Sequence, residues 1–207
     1  MLPDSYFTLG GNAEAELKEQ RSRFIGLAAP AADEEAARTF IQDCARRFHD
    51  ARHVCHGWKL GLGSDTVENR NDDGEPSGTA GEPILAAIRR TDLTDLVVVV
   101  VRYFGGIKLG CGGLGRAYGG TADRVLKMAP RREVLLGRLF DLQFPYPMRK
   151  TVEHFLGLHR GKPVREDYGA QVTWRMWLPL STATAFLSTL HENTAGSLEP
   201  VEIRDEE

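Results

Sequence analysis

The residues best suited to chemistry lie in a glycine-rich segment that follows a run of five valines. Half of the positions from 105 to 120 are glycine, and three cations stand among or just before them: Arg102, Lys108 and Arg116. Exposed backbone N–H groups near a helix N-terminus, beside fixed cations, form a binding site for an anion such as phosphate. The glycines that we assign to this predicted phosphate-binding or nucleic-acid-binding site are Gly105, Gly106, Gly110, Gly112 and Gly113.

The same segment contains the spacing of a dinucleotide-binding motif, but its context argues against that function. Gly110, Gly112 and Gly115 satisfy G-x-G-x-x-G. In that motif the first glycine follows a strand directly, whereas FGGIKL separates Gly110 from the valine run here. Glu133 also lies at the start of its strand, where the ribose-binding acid would stand at the end. We therefore predict no nicotinamide or flavin cofactor.

A second unusual segment, NDDGEPSGTAGEP at residues 71–83, is rich in acids and glycine. Asp72, Asp73 and Glu75 could hold Mg²⁺ through their carboxylates, which would suit phosphate chemistry beside the cations. The alternative, which we favour, is a solvated turn whose acids pair with Arg102 or Lys108 or stabilise the N-terminus of the following helix. The residues of this predicted loop surface are Asp72, Asp73, Glu75, Ser77, Gly78, Thr79 and Gly81.

The histidines and cysteines do not form a predicted metal site or catalytic set. His53 and His56 belong to an expected strand and would point to opposite faces, so they cannot easily share one ion. Cys55 and His56 are sequence neighbours that face apart on the same strand. No G-x-S-x-G motif is present. We predict no metal and favour a non-enzymatic protein, while an enzyme remains an open alternative.

Composition and charge limit the classes of partner. The chain carries 26 Lys and Arg against 29 Asp and Glu, a formal net charge of −3. A protein that binds nucleic acid by bulk electrostatics would carry a basic excess, so any such binding must use a local patch. No apolar run is long enough to span a bilayer, and the N-terminus lacks the features of a signal peptide. We expect a cytoplasmic protein that does not interact with membranes.

The first 130 residues predict the elements that must position these groups. Helical periodicity with an N-cap at Asp33 predicts the first helix. The segment DLVVVVVRYF predicts a central strand buried on both faces. The helix ILAAIRR begins either with a capping box of Thr79 and Glu82 or with Pro83 as its first residue. Further predicted elements are strands at 5–9, 13–17, 22–29 and 53–61, a loop at 64–83, and a helix after 110 with Leu114, Ala117, Thr121, Val125 and Met128 on its inner face.

A domain boundary is predicted at MAPRR, which divides the chain into residues 1–130 and 131–207. The second part predicts six elements in the order β-α-β-β-α-β, which is the ferredoxin-like unit, within an α+β protein of two domains. Ser181 is the expected N-cap of its second helix, and the acidic end of the chain, 205–207, is expected to fray. The predicted segments are a strand at 132–144, a helix at 147–159, two strands within 163–179, a helix at 181–193 and a strand at 197–204.

Three segments together resemble the IMPACT family, in its bacterial YigZ-like form. They are HVCHGWKLG, NDDGEPSGTAGEPILAAI and DLVVVVVRYFGGIKLGCGGLGRAYG, within roughly residues 15–125. The resemblance implies an N-terminal domain similar to the ribosomal-protein second-domain fold of elongation factor G domain IV, and a C-terminal domain similar to that factor's domain V. One departure is that Gly57, Trp58 and Lys59 stand where the family usually has Ala-Tyr-Arg, which loses the planar fork of arginine.

The resemblance also implies a link to translation. Eukaryotic members regulate a kinase that senses amino-acid starvation, but bacteria lack that kinase, so the partner does not carry over. We expect a non-enzymatic regulator that binds RNA, the ribosome or a translation factor through the surface formed by the glycines and cations. The alternatives are an enzyme or binding protein for a small phosphorylated ligand, with Mg²⁺ as a possible requirement, and a pure protein-interaction module. The sequence contains no signal that sets the oligomeric state.

Overall fold

The computed structural model describes residues 3 to 203 and has an α+β architecture. The chain divides into two compact units. The larger unit is Tyr6–Val134, and the smaller unit combines Leu135–Glu207 with Met1–Ser5. A five-stranded antiparallel sheet is central to the larger unit, and a four-stranded antiparallel sheet is central to the smaller one. In the described part of the chain, no helix has the length and apolar character needed to cross a bilayer.

The larger unit packs three helices against the two faces of its sheet. The strand order is β2-β3-β6-β4-β5, and a separate two-stranded sheet pairs β1 with β7. The strands are β1 (Ser5–Leu9), β2 (Ala13–Glu19), β3 (Ser22–Pro30), β4 (His53–Leu60), β5 (Val67–Asn71), β6 (Leu96–Tyr103) and β7 (Arg131–Leu135), and the helices are α1 (Glu34–Arg47), α2 (Gly81–Arg89) and α3 (Gly110–Met128).

The valine run forms β6, the central strand, as the sequence predicts. Its side chains alternate between two apolar clusters. Val98 and Val100 pack into the cluster that contains α2 and α3, whereas Val97, Val99 and Val101 pack into the cluster that contains α1. All five valines are fully buried. A strand with helices on both faces needs apolar residues at every position, which explains the unbroken run even though the sheet is antiparallel.

Three sequence expectations, two in the larger unit and one for the strand that was expected to begin the second domain, are wrong in detail. Residues 64–83 were expected to form a loop, but the segment contains β5, which pairs with β4 at the sheet edge. Its residues are mostly exposed and polar, so they lack the apolar alternation of a recognisable strand. Met128 was expected to face inward but is 62% exposed, because it occupies the last position of α3. The expected single strand at 132–144 is interrupted at Leu136, between β7 and the next strand.

The smaller unit has the element order β-α-β-β-α-β that the sequence predicts, with the sheet order β11-β8-β10-β9. Both helices contribute to one apolar cluster, built on large residues such as Phe140, Trp174 and Phe186. The described part of the expected strand at 197–204 is shorter, and Arg204 and the acidic end lie outside the described residues. The elements are β8 (Gly137–Phe144), α4 (Arg149–Leu158), β9 (Lys162–Tyr168), β10 (Val172–Pro179), α5 (Leu180–Asn193) and β11 (Val201–Ile203).

The N-terminus of α5 is stabilised by a carboxylate distant in sequence. The sequence predicts Ser181 as N-cap, but Ser181 lies inside the first turn and Pro179 occupies the cap position. The Asp4 carboxylate accepts hydrogen bonds from the Ser181 N–H at 2.8 Å and from the Ser181 hydroxyl at 2.7 Å. These hydrogen bonds to Ser181 lower the pKa of Asp4. A contact across 177 residues replaces the local cap.

Candidate functional site

A cavity of about 410 Å³ lies beside the start of α3 in the larger unit. Four chain segments meet there: the start of β4, the acidic loop before α2, the end of β6, and the glycine-rich segment that leads into α3. The lining residues are Arg52, His53, Glu75, Pro76, Arg102, Phe104, Lys108, Leu109, Gly110, Cys111 and Leu114. The cavity thus contains residues from both of the segments that the sequence singles out.

A buried ion pair lines this cavity. The Arg102 Nη1 donates to Glu75 Oε1 at 2.5 Å, and the two side chains are only 8% and 4% exposed. The Tyr118 hydroxyl donates to the same Glu75 oxygen at 2.9 Å. Aromatic rings flank the guanidinium, since Arg102 Cζ lies 5.6 Å from the Phe24 ring centroid and 5.4 Å from that of Phe104. Such a pair is stable only when further hydrogen bonds satisfy its polar atoms.

Arg102 is therefore placed differently from the surface cation that the sequence analysis expects. The residue is 6% exposed, and Glu75 neutralises its charge inside the protein. The valine run itself explains this position, because Arg102 continues the buried strand β6 and pairs in register with Phe24 and His53. Arg102 Nε is buried without a hydrogen-bond partner among the described residues.

Asp72 stabilises the N-terminus of α2. Its Oδ1 accepts hydrogen bonds from the N–H groups of Ala80 at 2.9 Å and Gly81 at 2.8 Å, and its Oδ2 accepts from Gly78 at 2.9 Å. Burial alone would raise the pKa of Asp72, but the hydrogen bonds from Gly78, Gly81 and Ala80 outweigh it and hold the pKa below its usual range. The expected capping box is wrong, because Thr79 instead donates its hydroxyl to the Pro76 carbonyl.

The other expectation for this helix, Pro83 as its first residue, is also wrong, since α2 begins two residues earlier at Gly81. Asp73 anchors the same loop to β4. Its Oδ2 accepts from the Val54 N–H at 2.7 Å, and its carbonyl accepts a hydrogen bond from Nδ1 of His53 at 2.7 Å. Asp72 and Asp73 are thus bound by protein N–H groups, as expected of a turn that stabilises the following helix. Ser77 lies exposed on the outside of the loop.

The glycines of the segment have different structural roles. Gly105 packs against the backbone of Arg21, where an added Cβ would lie 2.0 Å from the carbonyl carbon and oxygen. Gly110, the first residue of α3, has a φ of +65°, in the left-handed region that favours glycine. Gly106 also has a left-handed φ, of +86°, and a Cβ on Gly113 would lie only 3.1 Å from the Leu109 Cβ. The nearest atom to a Cβ on Gly112 would be 3.5 Å away, so Gly112 alone of these five glycines has no structural explanation.

The exposed cations lie near the start of α3. Lys108 and Arg52 are exposed residues that line the cavity, and Arg116 is exposed further along α3. The Phe104 ring, 48% exposed, lies between the buried Arg102 and solvent. Sequence reasoning missed Arg52 and Phe104, although each adjoins a residue that it singled out. The only indication in the sequence is that Arg52 precedes His53 and Phe104 precedes Gly105. That indication becomes informative only when the structure brings these segments together.

Burial favours the neutral forms of three ionisable groups in β4 and α3. Cys55 donates its thiol to the Asp72 carbonyl at 3.0 Å, and burial raises its pKa to about 12. Burial, followed by the proximity of Cys55 and Glu75, raises the pKa of Tyr118 far above its usual range. Burial lowers the pKa of His56. Cys55 is therefore not a thiolate at neutral pH and does not form an activated nucleophile.

The fold and this cavity define an α+β protein of two units with a largely apolar, cation-rimmed cavity in the larger one. The model of the Impact N-terminal domain matches residues 20–126. The chain is 36% identical to the IMPACT family member YigZ of Escherichia coli over 90% of this chain and 92% of that protein. It is 35% identical to the family member YvyE of Bacillus subtilis over 93% of this chain and 88% of that protein. The chain belongs to the IMPACT family.

Two further similarities extend the comparison. The Protein IMPACT homolog of Saccharomyces cerevisiae is 30% identical over 49% of this chain and 40% of that protein, so that match is partial. A crystal structure described as that of a hypothetical protein is 34% identical, has a TM-score of 0.67, and covers 99% of this chain and 100% of that one. The fold of the whole chain is therefore shared with a solved structure.

Proposed function

We propose that this protein is a non-enzymatic, translation-associated regulator that binds RNA, either in the ribosome itself or in an RNA that the ribosome binds. Membership in the IMPACT family supports the link to translation. We also propose that the larger unit corresponds to domain IV of elongation factor G and the smaller unit to domain V, as the resemblance implies. The observation that carries the RNA proposal is the exposed ring of Phe104 next to exposed cations at the glycine-rich start of α3.

The physical argument joins stacking to local charge. Proteins bind unpaired nucleotides by stacking bases on aromatic rings while cations contact the phosphates. Phe104 supplies such a ring, and Arg52 and Lys108 are exposed cations in the lining of the same cavity. Arg116 supplies a further exposed cation in the second turn of α3. The net charge of −3 opposes tight non-specific binding. Binding should therefore be confined to this site and should depend on few phosphate contacts.

The test is co-sedimentation with ribosomal subunits and with total RNA across a salt series. Lys108→Ala and Arg116→Ala should each weaken binding. Each should also make the slope of log affinity against log salt concentration shallower by about one unit, which corresponds to the loss of one phosphate contact. Lys127→Ala is the matched control, because Lys127 is an exposed cation in the last turn of α3. Arg102→Ala is unsuitable for this purpose, since it would disturb the buried pair with Glu75.

The outcomes separate the candidate partners. Binding that falls with salt, and falls less steeply in Lys108→Ala and Arg116→Ala than in Lys127→Ala, supports the proposal. Absence of binding at low salt would refute RNA recognition. If this chain instead retains a single protein in a pull-down after nuclease treatment, that result would refute RNA recognition in favour of a protein-interaction module. Melting temperatures of all three variants should match the wild type, because each side chain is exposed.

A further inference from the structure

We propose that the cavity at the start of α3 binds one phosphorylated nucleotide, with its phosphate at the helix N-terminus beside Lys108 and its base against Phe104. A phosphorylated end of RNA and a free nucleotide present the same chemistry to this cavity, and the test below distinguishes these two sources. The RNA source rests on the proposed function. The binding of a phosphate monoester that carries an aromatic base does not depend on it.

The helix supplies the first part of a phosphate site. α3 has 19 residues, its N-cap residue Leu109 makes no side-chain cap, and its first turn contains no acid. The first N–H groups of a helix lack intrahelical partners and carry the positive end of the helix dipole. Gly110 and Cys111 line the cavity at this end, and Lys108 lines it immediately before them. A phosphate there would accept hydrogen bonds from the backbone and neutralise a fixed cation.

Arg102 provides an independent indication of a ligand. Arg102 lines the same cavity, and only 6% of the residue is exposed. Its Nε has no hydrogen-bond partner in the described part of the chain. Buried polar groups are normally satisfied by protein, water or ligand, so an unsatisfied guanidinium donor beside a cavity needs a partner. A phosphate oxygen is a strong acceptor for it.

The charges of the lining favour an anion. The lining contains three permanent cations, Arg52, Arg102 and Lys108, and one carboxylate, Glu75. Glu75 already accepts hydrogen bonds from Arg102 and Tyr118, so its charge is compensated within the protein. The other two cations, Arg52 and Lys108, therefore leave an excess of positive charge for the ligand.

The remaining walls suit an aromatic base. Phe104, Pro76, Leu109 and Leu114 contribute apolar surface to the lining. The ring of Phe104 is partly exposed, which leaves area for stacking. The volume of about 410 Å³ falls within the range of roughly 300–1,000 Å³ that is typical of small-ligand pockets. Phosphate donors and apolar walls thus occur in one cavity of suitable size.

Cys111 allows a direct test with the complete protein. It is exposed and lines the cavity, whereas the other two cysteines, Cys44 and Cys55, are buried. The rate of Cys111 alkylation by N-ethylmaleimide should fall when the cavity is occupied, and the buried cysteines report unfolding within the same sample. Adenosine 5′-monophosphate at about ten times its dissociation constant should slow the reaction about tenfold, because only the free fraction reacts.

The probes identify the ligand chemistry and its source. Adenosine, inorganic phosphate, adenosine 5′-monophosphate and short single-stranded RNA with or without terminal phosphates are compared. The proposal expects protection by the monophosphate or by phosphorylated RNA, and much weaker protection by adenosine and by unphosphorylated RNA. Protection by the free monophosphate alone identifies a free nucleotide as the source. Equal protection by phosphorylated and unphosphorylated probes, or protection by none, would overturn the proposal.

Two variants localise the contacts. Lys108→Gln should weaken protection by adenosine 5′-monophosphate about tenfold, through loss of one charge-assisted contact, whereas the matched Lys127→Gln should leave it unchanged. Phe104→Leu should weaken protection by the monophosphate but leave protection by inorganic phosphate at its wild-type level. Equal effects of Lys108→Gln and Lys127→Gln would overturn the assignment of the phosphate end.

The same measurements distinguish this inference from the proposed function. If RNA co-sediments in a manner that depends on Arg116, but no probe protects Cys111, the inference fails and the proposed function stands. If adenosine 5′-monophosphate protects Cys111 while neither ribosomes nor RNA bind, the proposed function fails and the cavity remains a nucleotide site. Protection by phosphorylated RNA together with co-sedimentation supports both.

Discussion

The two units each contain a carboxylate paired with an arginine of a sheet strand, but in opposite surroundings. In the larger unit Arg102 and Glu75 are 8% and 4% exposed. In the smaller unit Arg175 and Asp141 form two hydrogen bonds of 2.9 Å, between facing positions of β10 and β8, while 41% and 39% exposed. The exposed pair has the better fork geometry, and the buried pair has the greater energetic consequence, because burial removes water as an alternative partner.

This difference indicates where each unit uses its polar residues. The core cluster of the smaller unit is apolar, and the pair between Arg175 and Asp141 lies outside it. In the larger unit, Glu75, Arg102 and Tyr118 carry polar groups into the protein directly beside a cavity. Buried polar networks limit which conformations of the surrounding segments are stable. The acidic loop and the glycine-rich segment should therefore respond strongly to substitution.

The largest expected effect is that of Arg102→Ala. Removal of the guanidinium leaves the Glu75 carboxylate buried without its cation, which should lower the free energy of unfolding by about 3–5 kcal/mol. Urea denaturation followed by circular dichroism measures this change. The double variant Arg102→Met with Glu75→Gln should recover part of the loss, because no buried charge remains. A loss below about 1 kcal/mol would mean that water or a ligand compensates Glu75.

The next effect is that of Gly105→Ala. The added Cβ would lie 2.0 Å from the Arg21 backbone, so the turn before β3 and the segment after β6 must separate. We expect a loss of about 2–3 kcal/mol in the free energy of unfolding. Gly112→Ala is the matched control, since the nearest atom to its added Cβ is 3.5 Å away, at Arg116 Nη1. That change should stabilise α3 by about 0.5–1 kcal/mol. Similar losses of unfolding free energy for Gly105→Ala and Gly112→Ala would contradict the conclusion that only Gly105 packs against a neighbouring backbone.

A smaller effect is expected for Asp72→Ala. Loss of three hydrogen bonds at the start of α2 should cost about 1–2 kcal/mol at neutral pH. The folded-state pKa of Asp72 is lowered, so its contribution is present above the unfolded pKa of about 4 and is lost as the pH falls through the folded value. The stability difference between wild type and variant should therefore shrink below about pH 4. A difference independent of pH would exclude the charged form of Asp72 as the cap.

The smallest effect is expected for Arg175→Ala. Hydrogen bonding to Arg175 lowers the pKa of Asp141, but both side chains remain solvated. Loss of an exposed pair typically costs about 0.2–1 kcal/mol, and added salt should reduce the difference. Urea denaturation at low and high ionic strength measures it. A loss comparable to that of Arg102→Ala would show that exposure does not separate the two pairs.

Much of the fold is predictable because the signals are local. The valine run predicts β6, and Asp33 predicts the start of α1, where its Oδ1 accepts from the Ala36 N–H at 2.7 Å. For α2 the sequence predicts that acids of the preceding loop stabilise the helix N-terminus, but it does not identify Asp72 as the residue that does so. The carboxylate at the start of α5 is not predictable at all, since it comes from Asp4, 177 residues away. The polar edge strand β5 is missed because its pattern lacks apolar alternation.

For the candidate site, the sequence alone determines the residue types and their clustering: glycines and cations after a buried strand, and acids before a helix. Tertiary structure decides that Glu75 and Arg102, 27 residues apart, form a buried pair, and that Arg52 and Phe104 join Lys108 around one cavity. The physical reason is that burial and charge compensation depend on which segments meet in space. Sequence patterns record the local preferences of a segment, whereas the partner of a charge is selected by the packing of the sheet and its helices.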